Sequence, residues 1–201
     1  MPNKTCKRLL DILLILVAIP FLLPLLVMIP VAIKLDSRGP ILFKAKRIGR
    51  KGKAFTMLKF RSMTVSQEEC SHRITVFNDS RVTMVGRLLR KFKLDELPQL
   101  LNVLRGQMSI VGPRPEDPRY VDMYDREQKR ILNYLPGLTS KSSVIFKAEE
   151  ELLNTDDFER VYIERIMPEK IRIDVEFFEN ATLLREIGLI INTVFSLLIR
   201  R

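Results

Sequence analysis

The chain's most distinctive pattern is the absence of a pattern. From Ile12 to Ile33 no charged residue interrupts 22 apolar or small positions, and the run has neither strand alternation nor a polar helical face. At about 1.5 Å per residue, a helix of that length just matches a hydrocarbon layer of about 30 Å. Pro20, Pro24 and Pro30 fall inside it; an interior proline removes a helix hydrogen bond and tends to bend the axis. After the run the period changes. Ser37-Arg38-Gly39-Pro40 reads as a turn, and Ile41–Phe43 and Ala54–Leu58 read as short strands joined by a basic loop with Gly49 and Gly52. Residues 64–80 are polar and read as a surface loop. A helix is predicted over Thr83–Lys91, with Val85, Leu88 and Leu89 on one face, and a second from Asp95 through Leu97, Leu100, Leu101 and Leu104 to Gly106.

The C-terminal half reads as Ile110–Pro115, a stiff loop; helical pattern over 118–133; a break at Leu135-Pro136-Gly137-Leu138; an acidic exposed helix over 149–166; and a further helix opened by Pro168. The last segment puts Ile187, Ile190, Ile191, Val194, Phe195 and Leu198 on one stripe before Arg200-Arg201. Such a stripe is more often core, but its basic end also suits an interface. No internal repeat or low-complexity stretch is present. The expected fold is α+β and mostly helical: a membrane segment over 1–36, then a catalytic domain over 37–201 with little strand and interfacial amphipathic helices.

Charge sharpens the membrane reading. Residues 1–64 carry 13 Lys/Arg against Asp11 and Asp36, whereas residues 65–201 carry 21 against 22 acids. The excess flanks the apolar run on both sides, and cationic flanks are retained in the cytoplasm. A re-entrant segment that enters and leaves by one face, bent at Pro24 with Pro20, accommodates both flanks; a single-pass anchor is the alternative. Anionic lipids are the expected partner of the Lys44–Lys53 loop. Nucleic acid is not expected, because apart from Phe55 no aromatic residue interleaves the basic stretch. Cys6 and Cys70 make no disulfide framework, His72 sits in a polar loop, and Glu149, Glu150 and Glu151 read as a solvated face, not a metal cluster.

The candidate chemistry lies in Arg87–Leu100, where Asp95 and Glu96 stand at a helix start with Pro98 in its first turn. One reading is a helix cap. The other draws on Arg87, Arg90, Lys91 and Lys93 upstream, and Arg114 in Gly112-Pro113-Arg114-Pro115, which together with helix amides would make a phosphate site. In such a field one carboxylate stays charged for nucleophilic attack, and its neighbour holds a divalent cation that neutralises phosphate oxygens.

The chain resembles the bacterial sugar transferases, specifically the small monotopic polyprenyl-phosphate phosphoglycosyl transferases. The stretches that carry this are Lys7-Arg8 with Asp11; Lys34–Pro40; Lys59-Phe60-Arg61-Ser62-Met63; Leu94–Leu100 with Asn102–Gly106; Met108–Glu116; and Pro136-Gly137-Leu138-Thr139. The resemblance implies transfer of a sugar 1-phosphate from a UDP-sugar to polyprenyl (undecaprenyl) phosphate, with UMP released, at the cytoplasmic face of the bacterial inner membrane. It would be the first membrane step of a glycoconjugate pathway. By match, Asp95 is the nucleophile of a ping-pong mechanism, Glu96 with Asp95 holds Mg²⁺, and Lys59, Arg90 and Arg114 lie around the phosphates. Two departures stand out. Leu23-Pro24 replaces the usual Ser-Pro at the helix break, and Leu135–Ser140 departs from the usual Arg-Pro-Gly-Ile-Thr-Gly, which bears on the choice of sugar. Monomer and homodimer are both allowed, and downstream glycosyltransferases are admitted as partners. The rival is a non-catalytic membrane scaffold that recruits glycosyltransferases, with Asp95 and Glu96 merely capping a helix.

Overall fold

In the computed structural model the apolar run forms α1 (Lys4–Asp36), a 33-residue helix with Pro20, Pro24 and Pro30 inside it. Residues 4–64, 79–147, 149–152 and 157–198 are described; Cys70, His72, nearly all of the polar 64–80 segment and Arg200-Arg201 lie outside them, as do the side chains of Glu150, Glu151 and Leu198. The helix does not end at Pro24, although a proline inside a helix can still bend its axis. Proline's fixed φ is compatible with a helix, and the bonds the three prolines omit do not end it. By composition and length α1 is long and apolar enough to cross a membrane, and only 11% of its most apolar window is buried.

What α1 does bury follows a single stripe: Asp11, Ile15, Ile29 and Ile33. Ile15 packs with Ala45, Met57, Val103 and Met108, and Ile29 and Ile33 pack with Phe60 and Leu89. Both ends of α1 are thus fastened to the same body. At the C-terminal end Arg61, itself buried, donates to the carbonyls of Ile33, Ser37 and Arg38 and to Ser37 Oγ. It thereby ties the last turn of α1, where Ile33 O also accepts from the Ser37 amide, to the two residues that follow.

The strands β1 (Leu42–Ile48) and β2 (Ala54–Phe60) pair antiparallel from Leu42↔Phe60 to Ile48↔Ala54, around a one-turn 3₁₀ helix at Arg50–Gly52. Lys44, Lys46 and Arg47, expected in a loop, are strand residues. Next, α2 (Met84–Lys91) begins where predicted, with Thr83 Oγ1 accepting from the Gly86 amide at 3.0 Å. A 3₁₀ turn over Leu94–Glu96 leads into α3 (Gln99–Leu104), and β3 (Ser109–Val111) follows.

After α4 (Pro118–Asp122) and a 3₁₀ stretch, β4 (Gly137–Thr139) pairs parallel with β3, Ser109 opposite Gly137 and Val111 opposite Thr139. Both the stiff loop at 110–115 and the break at 135–138 therefore contain strand. α5 (Lys141–Ile145), α6 (Glu149–Leu152) and α7 (Phe158–Val161) are short. The expected exposed helix over 149–166 is corrected on two counts: it is broken, and Tyr162 and Ile166, in a π turn, are buried with Tyr120, Ile131 and Ile171. Glu149 pairs with Lys170 at 2.6 Å. Finally, α8 (Met167–Glu179) starts with Pro168 in its first turn, and α9 (Leu183–Leu198) buries Glu186 and Leu189 while Ile191, Val194 and Phe195 stay exposed. The molecule is mostly helical, with two small two-stranded sheets among the described residues.

Candidate active site

Local backbone geometry presents the two acids. After α2, Lys93 adopts the left-handed region (φ 56°), which turns the chain sharply, so Asp95 and Glu96 fall on the 3₁₀ turn that follows. Pro98 then sits ahead of α3, where a missing N–H costs little. Neither acid caps a helix: no side-chain cap bond forms at the 3₁₀ turn or at the start of α3. Both are buried, Asp95 at 7% and Glu96 at 8% exposure, a location carboxylates avoid unless paired.

Glu96 is paired twice. Its Oε1 accepts from Lys59 Nζ at 3.0 Å and from Arg114 Nη2 at 2.8 Å. Lys59 comes from β2. Arg114 comes from the loop after β3, where Gly112 donates to Thr139 O and Gly137 donates to Pro113 O, each at 3.0 Å. Burial opposes the charge on Glu96, but Arg114 and Lys59 outweigh it and hold the carboxyl far below the ordinary glutamate range. Asp95 has the opposite balance. Its Oδ1 is buried without any hydrogen-bond partner, and burial pushes its carboxyl up against the pull of Lys59, Lys93 and Arg90. The expectation of a carboxylate held fully charged by its surroundings applies to Glu96; at Asp95 the surrounding cations only partly offset burial.

Of the sequence-predicted residues, Asp95, Glu96, Lys59 and Arg114 converge. Arg90, near the end of α2, acts on Asp95 through charge. Pro20 and Pro24 are exposed inside α1. One upstream cation bears on the acid pair directly, and one polar side chain close to it in sequence has no partner. Lys93, expected among the phosphate-site cations, lies at the rim; desolvation of its ammonium and the nearby Arg114 push it below the ordinary lysine value. Gln99, four positions after Asp95 in the same block, is buried with its amide nitrogen unpaired.

For a metal, Asp95 Oδ1 is an uncommitted oxygen of the kind a hard cation takes, and Glu96 is the acid beside it. Among the described residues no group of three His, Cys, Asp or Glu side chains forms a self-sufficient cage. A cation held here would draw its other ligands from water and phosphate, as Mg²⁺ does. On its far flank Arg114 also lines a cavity with Glu116, Tyr124, Tyr134, Tyr162 and Asp174. In that wall Asp174 accepts from the amide and hydroxyl of Ser142, at 2.9 and 2.8 Å.

The family model described as "Bacterial sugar transferase" matches residues 2–200. A UDP-N-acetylgalactosamine-undecaprenyl-phosphate N-acetylgalactosaminephosphotransferase of Aeromonas hydrophila is 36% identical over 197 residues, 96% of this chain and 43% of that protein. A UDP-glucose:undecaprenyl-phosphate glucose-1-phosphate transferase of Caulobacter vibrioides is 37% identical over 194 residues, covering 96% and 69% respectively. An enzyme of the same description from Escherichia coli is 35% identical over 200 residues, covering 96% and 40%. The chain therefore spans about two fifths of the length of the first and third of these relatives, and just over two thirds of the second.

Proposed function

The chain belongs to the bacterial sugar transferase family, and from that premise we propose that it moves a sugar 1-phosphate from a UDP-sugar to undecaprenyl phosphate at a membrane surface. The observation that carries this reading is the buried acid pair in which one member, Asp95, has an uncommitted oxygen while the other, Glu96, is held by Lys59 and Arg114. A helix-capping scaffold residue would spend its oxygens on backbone amides; these do not.

In the proposed mechanism an Asp95 oxygen attacks the phosphorus that bears the sugar. The phosphoanhydride P–O bond breaks, and UMP leaves with its electron pair. An oxygen of undecaprenyl phosphate then attacks the same phosphorus, and the Asp95 carboxylate is the leaving group. Each half-reaction exchanges one activated phosphate for another, so the acyl phosphate retains the activation between visits. Arg114, Lys59 and Lys93 stabilise the charge spread over the phosphate oxygens. Asp95 and Glu96 would hold Mg²⁺, which when bound neutralises phosphate charge. The Arg114-lined cavity would take the rest of the donor. Because one site serves both substrates in turn, UMP should exchange into the UDP-sugar without any acceptor. Radiolabelled UMP incubated with enzyme, Mg²⁺ and a panel of UDP-sugars tests this. Exchange with one donor supports the two-step route and identifies the sugar; no exchange with a donor that is turned over when acceptor is added removes it.

We further propose that α1 is re-entrant, with both ends and the catalytic body on the cytoplasmic face. Support comes from the shared body: Arg8 and Asp11 at one end, and Ile33 and Asp36 at the other, all bond to it. A crossing helix would separate those ends by the bilayer. Cys6 is exposed on α1, so in a Cys70→Ser background a membrane-impermeant maleimide should label it in inverted vesicles and not in spheroplasts, and an Arg38→Cys thiol should behave alike. Labelling of the two positions from opposite sides rejects the re-entrant reading.

A further inference from the structure

By sequence alone the first turns of α1 supply topological charge; in the structure their side chains are spent on the body that carries Asp95 and Glu96. Arg8 donates to Val103 O and, at 2.7 Å, to Leu104 O. These are C-terminal carbonyls of α3, the helix that follows Asp95 and Glu96. Asp11 is 4% exposed, and its Oδ1 accepts from the Ile110 amide at 3.1 Å. Lys7 Nζ donates to Val111 O at 2.9 Å and to Glu186 of α9. Ile110 and Val111 belong to β3, from which Gly112-Pro113-Arg114 departs.

Among the described residues β3 has one strand neighbour, β4. Ser109 donates toward that side, to Pro136 O, so by strand alternation the Ile110 amide points away from it. Without Asp11 that amide would be a buried orphan, or the strand would shift until water reached it. Arg8 and Asp11 are one helical turn apart, so one face of α1 grips both structures that meet at Glu96: α3 behind the acid pair, and the strand behind Arg114.

We propose that Asp11 and Arg8 are positioning residues for the transfer reaction: by holding β3 and α3 they set Arg114 against the Asp95–Glu96 pair, so that a properly seated membrane helix is a condition of turnover. The inference rests on the proposed phosphosugar transfer for its kinetic readout, and on the clamp itself for a second, independent one. Displacement of a reacting group by about 1 Å costs on the order of 100-fold, so a small shift of β3 or α3 is enough to slow turnover.

The test uses the full chain in lipid nanodiscs. Asp11→Ala is expected to lower kcat on the order of 100-fold, with the melting temperature and flotation with vesicles close to wild type. Asp11→Asn keeps an acceptor oxygen for the Ile110 amide and should recover most of the rate, a rescue that a bulk packing role would not require. Arg8→Lys keeps the charge but cannot fork to both carbonyls; it should lower kcat with flotation unchanged, and it decides the matter should Asp11→Ala fail to fold. Hydrogen exchange of the segment 109–115 should quicken in Asp11→Ala. Full kcat in folded Asp11→Ala, or in Arg8→Lys where the alanine variant does not fold, overturns the proposal, as does an Asn variant no better than Ala. Wild type that turns over no UDP-sugar would instead reject the transfer reading, and the exchange arm then judges the clamp alone: unchanged exchange overturns it.

Discussion

Asp95→Asn is expected to abolish transfer and leave the fold intact or slightly firmer. The proposed reaction needs a carboxylate oxygen that can carry phosphorus and later leave; an amide offers neither adequate nucleophilicity nor a comparable leaving group. Removal of a covalent nucleophile costs at least about 10³-fold in kcat. The structural cost is small because Oδ1 makes no hydrogen bond to lose. The sign of the stability change follows from the upward shift of the Asp95 carboxyl, which burial causes. A carboxyl raised on folding releases its proton less readily in the folded state than in the unfolded chain. Its penalty on stability sets in above the ordinary aspartate value and is complete once pH exceeds the raised one. At neutral pH the asparagine variant escapes that penalty, so its melting temperature should equal or exceed that of wild type, the trade expected where a site is kept for function over stability. UMP release, intact mass for a phosphosugar adduct, and thermal melting check the three parts. A variant that melts normally and retains turnover within about tenfold of wild type would reject Asp95 as the nucleophile.

Which parts of this were legible in the sequence depends on how local their causes are. α1, the start of α2 at Thr83 and the start of α8 at Pro168 follow from composition, a cap and a proline, all within a few residues. The acid pair was legible as chemistry but not as geometry. Asp-Glu-Leu-Pro reads as a helix cap, and only the left-handed Lys93 converts it into a buried 3₁₀ turn. Lys59 and Arg114 reach Glu96 from positions 37 and 18 residues away, a convergence no periodicity encodes. β3 and β4 are three residues each and lie in stretches whose prolines and glycines read as breakers. In α9 the apolar stripe suggested core, yet the buried positions are Leu189 and the acid Glu186, because Lys7 of α1 reaches Glu186. The remainder of the stripe, Ile191, Val194 and Phe195, is exposed, so the core reading fails for it.

The other large effect should come from a methyl group far smaller than any charge. Gly112→Ala is expected to destabilise the protein by about 3 kcal/mol or more. A Cβ there would lie 2.2 Å from Leu135 O and 2.7 Å from Gly137 N, and one on Gly137 would lie 2.1 Å from Gly112 N. The obstacles are backbone atoms on both sides, so no rotamer change relieves them; β3 and β4 must separate. Separation breaks the bonds from Gly112 to Thr139 and from Gly137 to Pro113 that shape the Arg114 loop. For a chain of this length the melting temperature should fall by roughly 6–12 °C, and surviving protein should show a raised KM for the donor because Arg114 no longer meets Glu96. Gly188→Ala is the control: it sits in α9 with nothing near its added carbon, and alanine's helix preference of up to about 1 kcal/mol should leave melting equal or higher. Normal melting and KM in Gly112→Ala would mean that the Gly112–Gly137 contact does not fix the loop, and the route by which β3 positions Arg114 would fall with it.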